Sequence, residues 1–321
     1  MKELTTNLVI FLYIFLLLIN FSCDSNIKSI ITNFDKIVPP NDSTIVFVAL
    51  GDNMGWHLSI SHNYKKIYNI TPGVFEINGH WSPDKKWLVF NKVVSVKSNN
   101  VQVWKMQFDG SKKKGIILTQ YNCGPAKISP YGDKIVFTSP IDGLRQIMVC
   151  DSSGKNIEQI TTQNMIHPTK AVQFFYPSWL PNGKEILFTF SPNVKTINNS
   201  SFLGLATINI YTKNVTFISS IDTLNPHHAQ WSPVYDEIIF AGKGYPGEQI
   251  YIINSLGENL KKLTASFMAS FPDFSSDGEF IVFDQIDSRD DFSSIWVMDR
   301  NGNNKRKLIS IVGHHCTQPV W

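Results

Sequence analysis

Four of the eight histidines stand in adjacent pairs, His227-His228 and His314-His315, each just before a tryptophan, Trp231 and Trp321. Neutral imidazole suits manganese, zinc and related divalent ions, and an amide oxygen can complete such a ligand set. With His80 and Gln318, the pairs would supply a metal site if the fold brought them together. Imidazoles in tight turns also serve simply as hydrogen-bond partners of the backbone. That plainer role is the one expected: most of these side chains face neighbouring elements or solvent, with no stoichiometric transition metal and no other cofactor. Other chemistry is poorly represented. There is no Gly-x-Ser-x-Gly nucleophile elbow. The Asp-rich stretch 287–291 lacks the spaced oxygen ligands of a calcium loop and reads as a surface excursion, as does Asn198-Asn199-Ser200-Ser201.

What must position the histidines is a repeated module. His80-Trp81-Ser82-Pro83-Asp84-Lys85-Lys86-Trp87-Leu88-Val89-Phe90 reads as strand, tight turn, strand, with proline pre-setting φ at the second turn position. The run Trp87 to Phe90 is β-prone and has no helical period. Equivalent turns occur at Pro130, Pro181, Pro233 and Ser276, and each is followed seven residues later by a phenylalanine: Phe137, Phe188, Phe240 and Phe283. The turn positions are 47, 51, 52 and 43 residues apart.

Each hairpin is followed by a third apolar strand, a polar Asp/Gly turn, and a short fourth strand. That fourth strand ends in an apolar residue plus Thr or Ser, as in Ile160-Thr161 and Leu263-Thr264. Four strands per unit of this length, repeated radially, mark a β-propeller blade. Pro40 to Phe47 repeats the spacing of seven but lacks a preceding inner strand, and Thr317-Gln318-Pro319-Val320-Trp321 looks like that missing strand. The fold class expected is all-β: a six-bladed propeller closed by pairing the N- and C-terminal segments in one blade. Trp321 and Trp81 are then equivalent, and truncating either to Ala is expected to cost alike.

The Trp-Ser-Pro-Asp turn, the Ile-x-Phe-like strand after it and the closing Leu-Thr resemble the propeller repeats of the periplasmic TolB family, over about residues 39–321. The resemblance implies a six-bladed propeller in the cell envelope. TolB's additional N-terminal α/β domain is not expected here, nor is the hydrolase domain that follows related propellers in prolyl-peptidase-like enzymes. The histidines also resemble the metal site of oligogalacturonate lyases, built on similar repeats. That would imply a metal-dependent polysaccharide lyase using His227, His228, His314, His315 and Gln318, though the lyase pattern does not map residue by residue. Propellers act at the mouth of the central channel. The candidates are therefore the residues one and three before each inner-strand Trp, Ile or Phe, above all His80, Lys127, Tyr176, His228, Gln230, Asp273 and Gln318. The favoured expectation is a non-catalytic protein that presents one propeller face to an envelope protein or glycan.

The N-terminus sets the compartment. Lys2 precedes the apolar run Leu8 to Ile19, the length of a signal-peptide core, and Ser22-Cys23 follows. Residues 1–22 read as a lipoprotein-type signal peptide, Cys23 as the lipidated residue, and 23–38 as a tether to a membrane anchor. An exported protein, periplasmic or at the cell surface, is expected. Net charge is +3 with no basic block beyond Lys112-Lys113-Lys114, which reads as a hairpin tip, so nucleic acid is not an expected partner. Cys123, Cys150 and Cys316 have no metal-ligand spacing and read as buried thiols, with a Cys123–Cys316 bridge as the alternative.

Overall fold

The Ile/Val/Phe runs form strands because each alternates between two buried blade faces. The computed structural model describes residues 43–321 except 51–54, 65, 72–74, 99, 119–121, 168–170, 193–203, 219–220 and 289–291. The signal, tether and Cys23, with the loops expected around 198–201 and 289–291, lie outside the described residues. Six antiparallel four-stranded sheets follow one another around a ring.

Blade 2 is typical: an inner strand Glu76–Trp81, then Trp87–Ser95, Asn100–Gln107 and Lys114–Ile117. The inner strands of blades 3 to 6 are Lys127–Ile128, Val172–Trp179, His227–Trp231 and Met268–Phe274. Blade 1 takes its inner strand Cys316–Val320 from the C-terminus, paired antiparallel with Thr44–Leu50, followed by Trp56–His62 and Lys66–Asn69.

The recurrent residues have separate jobs. Phe47, Phe90, Phe137, Phe188, Phe240 and Phe283, one per blade, are buried. They sit among apolar clusters, each filling the seam between two neighbouring blades. In four of the blades a buried turn serine, Ser82, Ser129, Ser232 or Ser275, ties the hairpin. Ser82 Oγ donates to Asp84 Oδ1 at 2.6 Å and accepts from the Trp87 N–H at 3.2 Å. Ser275 repeats this with Asp277 and Phe280, and Ser129 with Asp133 and Lys134. The closing threonine also has a physical reason. Where the fourth strand shrinks to two residues, Thr161 Oγ1 accepts the Ile147 N–H at 2.9 Å and donates to Gln146 Oε1 at 2.9 Å. Thr264 does the same for Ile250 and Gln249. A hydroxyl here satisfies a buried amide that the short outer strand leaves open.

The cysteines are the buried thiols expected: Cys123 and Cys316 lie in different seams, blades 2/3 and 6/1, and the alternative bridge does not join them. One expectation is corrected. Lys113 is not merely a solvated hairpin tip: with Lys92 it pairs with the fully buried carboxylate of Glu76.

Candidate functional site at the channel mouth

The inner strands do not run straight. In five of the six a register shift interrupts pairing. At the shift stands a residue in the left-handed region: Asn78 (φ 55°), Tyr176 (51°), His228 (51°), Phe271 (49°) and Gln318 (52°). These are the positions three before the inner-strand aromatic. Blade 3 has Pro125 there, whose ring forbids positive φ, and its inner strand is only two residues long. Positive φ is costly for bulky side chains, about 1–3 kcal/mol each, and a bulge re-aims the side chain it carries. Here all five are aimed at the channel mouth.

Tyr176, His228 and Phe271, from three successive blades, form a continuous aromatic half-ring with ring centroids 4.1 Å apart at each step. The other half is amide-rich: Gln318 Oε1 accepts the Asn78 N–H at 2.9 Å, and Asn78 donates to Asn91. Two residues further down each strand lies a second ring that forms a waist, with His80, Lys127, Gln230 and Asp273 lining a cavity of about 60 Å³. Ser178 Oγ donates to Gln230 Oε1 at 2.6 Å. Asp273 Oδ2 accepts the Trp321 N–H at 3.0 Å.

Burial dominates the electrostatics. It pulls the Lys127 ammonium down to about 8, against the attraction of Asp273. It pushes the Asp273 carboxyl up to about 6, against the Trp321 N–H and Lys127. Burial, reinforced by the Lys127 charge, holds His80 at about 3. His228 is held well below its ordinary value by burial and by the charges of His227 and Lys127. Both imidazoles are therefore neutral, and the fixed charges among these lining residues are Lys127 and Asp273.

The remaining histidines do not join them. His227 Nδ1 donates to Asn225 O at 3.0 Å and its Nε2 lies 3.3 Å from Glu248. Burial opposes its charge, but Glu248 outweighs burial and raises it. His314 Nδ1 donates to Val312 O within a turn. His315 Nδ1 accepts the Ser293 N–H at 3.1 Å, beside the ring of Phe292 and away from the channel lining. Among the described residues no three His, Cys, Asp or Glu groups converge on a point. The donor set of the lyase alternative does not fit a shared metal: His227, His314 and His315 do not line the channel cavity, and the ring of His228 is sandwiched between Tyr176 and Phe271.

The candidates His80, Lys127, Tyr176, His228, Gln230, Asp273 and Gln318 are brought together around this one cavity. Three further residues stand out only in the structure. Phe271 stacks on His228 and shares its register, whereas Glu248 and Asp284 carry no repeat signal.

Asp284 lies at the seam where the ring closes, accepting a hydrogen bond from Thr317 Oγ1. Burial raises its carboxyl to about 7, against the hydrogen bonds from Thr317 and Gln318. A folded-state value above the ordinary 3.8 means that the native protein binds the extra proton. Its contribution is complete below a pH of about 4 and is lost as pH rises through about 7. The Asp284→Asn variant should therefore gain in melting temperature relative to wild type between those values. Subtracting the two curves cancels His80 and Asp273, which titrate in both proteins. A difference that does not change with pH would contradict the assignment.

Six four-stranded blades, closed through both chain segments around a lined channel, make this molecule a six-bladed β-propeller. No family model matches the chain. A TolB homologue of Chlorobaculum tepidum is 28% identical over 142 residues, 43% of this chain and 28% of that protein. An uncharacterized protein of Agrobacterium fabrum is 29% identical over 116 residues, 34% of this chain and 37% of that one. The aligned segments thus span well under half of either relative.

TolB of Acinetobacter baumannii superposes with a TM-score of 0.68 at 17% identity, covering 88% of this chain and 67% of that one. A TolB-type structure from Agrobacterium tumefaciens gives 0.63 at 19%, covering 84% and 90%. A manganese complex of oligogalacturonate lyase gives 0.53 at 11%, covering 80% and 86%. In its repeats and its fold the chain resembles the six-bladed β-propellers of TolB proteins.

Proposed function

We propose that this is an exported, lipid-anchored envelope protein that binds a protein or glycan partner at the channel-mouth end of its propeller, without catalysis. The supporting observation is the set of five strained inner-strand bulges that aim Asn78, Tyr176, His228, Phe271 and Gln318 at one rim. Strain repeated at equivalent positions and directed at one opening is typical of sites that hold ligands. The TolB likeness supports an envelope role, and Cys23 behind a short apolar run supports the anchor. The metal-lyase reading is the weaker one, because its histidines do not gather.

The test is cross-linked capture from envelope extract by wild type, by Tyr176→Ala/Phe271→Ala, and by Tyr131→Ala at the opposite, turn end. Partners should be retained by wild type and Tyr131→Ala and lost from the rim variant. Equal capture by all three would reject the mouth as the binding face. Replacing Cys23 with Ser should release the protein from membranes, and unchanged retention would reject the anchor.

A further inference from the structure

Lys127 and Asp273 belong to blades 3 and 6, which are opposite in a ring of six. Both line the waist of the channel and feel each other's charge. Among the described residues, however, the Lys127 ammonium donates no hydrogen bond and makes no ion pair. An ammonium taken out of bulk water without a partner is unfavourable unless something else solvates it. Gln230 is also half committed: its carbonyl oxygen accepts from Ser178, which leaves its NH₂ for the channel. The waist thus presents two donors, one charged, beside the neutral imidazole of His80 and beneath the rim imidazole of His228. The cavity of about 60 Å³ exceeds the space one water needs several-fold.

We infer that the channel waist is a binding site for a carboxylate group, held by the Lys127 ammonium and the Gln230 amide. A planar carboxylate offers two acceptors, one for each donor. Asp273 opposite opposes any anion, and a tetrahedral phosphate matches a pair of donors less well than a planar carboxylate does. The aromatic half-ring of Tyr176, His228 and Phe271 above the waist fits a narrow, partly apolar stem behind the carboxylate. An organic acid and the free C-terminus of a peptide share that chemistry. The inference rests on the channel alone and holds whether or not the propeller face binds an envelope partner.

The experiment is a ligand-observed NMR titration of the full chain at constant ionic strength. The probes are acetate, N-acetyl-triglycine, its C-terminal amide, and inorganic phosphate. Acetate and the free-acid peptide should bind, with the amide and phosphate far weaker. Lys127→Met should weaken binding at least about tenfold, the scale of one charge-assisted hydrogen bond. Asp273→Asn should strengthen it several-fold by removing the opposing charge, a gain that a damaged fold does not produce. Free-acid peptide tighter than acetate assigns the site to chain termini, and equal binding assigns it to small free acids. The site is rejected if neither acid binds wild type, if the amide or phosphate binds as well as acetate, or if Asp273→Asn brings no gain. Melting curves monitor folding, and if Lys127→Met does not fold, the Asp273→Asn result decides.

Discussion

Removing Cys316–Trp321 is expected to abolish the cooperative unfolding transition. This segment is the whole inner strand of blade 1. Without it, Thr44–Leu50 loses one of its two neighbours, and Val46, Val48 and Ala49, now fully buried, lose their cover on the channel side. Three ties to the two neighbouring blades go as well: Gln318 to Asn78 in blade 2, and Thr317 to Asp284 and the Trp321 N–H to Asp273 in blade 6. Open sheet edges and several unsatisfied buried groups together exceed the roughly 5–15 kcal/mol by which a domain is stable. Calorimetry of the truncated chain would test this. A sharp transition near the wild-type temperature would mean that the ring does not depend on this closure.

Trp81→Ala should cost about 3–5 kcal/mol, the usual range for emptying a buried aromatic site. Trp81 is 4% exposed and is wedged in the seam of blades 1 and 2 against Val46, Val48, Leu58 and Ile60. These neighbours belong to rigid strands and cannot collapse into the void. Its indole N–H finds no acceptor among the described residues, so Trp81→Phe should recover much of the loss. The repeat alone suggested that Trp321→Ala would match it. The structure corrects this: Trp321 is only half-buried, edge-on to Tyr64 and stacked on Phe280 at centroid distances of 6.1 and 6.3 Å. Trp321→Ala should therefore cost clearly less than Trp81→Ala in chemical denaturation. Equal losses would mean that packing at the seam is not what holds these tryptophans.

The fold was legible because each blade repeats one local solution. A turn, in most blades with serine or proline, and a phenylalanine seven residues on satisfy local hydrogen bonding and bury one seam, and those needs are met within a few residues of each other. The chain closure was legible for the same reason: an orphan inner strand at one end and a missing one at the other can satisfy their backbone groups only together. The channel positions recur at fixed offsets from the inner-strand aromatic, so their equivalence among blades was readable too.

What the residues alone did not determine was where each imidazole points and which charges meet. His80, His228 and Gln318 share the channel, whereas His314 turns to Val312 of its own turn and His315 to the Ser293 backbone, although all stand near inner strands. That difference comes from bulges and loop paths, which depend on neighbouring blades rather than on local spacing. Lys127 and Asp273 lie 146 positions apart in the chain, and only closure of the ring sets them across one narrow channel. Burial there, not residue type, lowers the amine, raises the acid and keeps the histidines neutral.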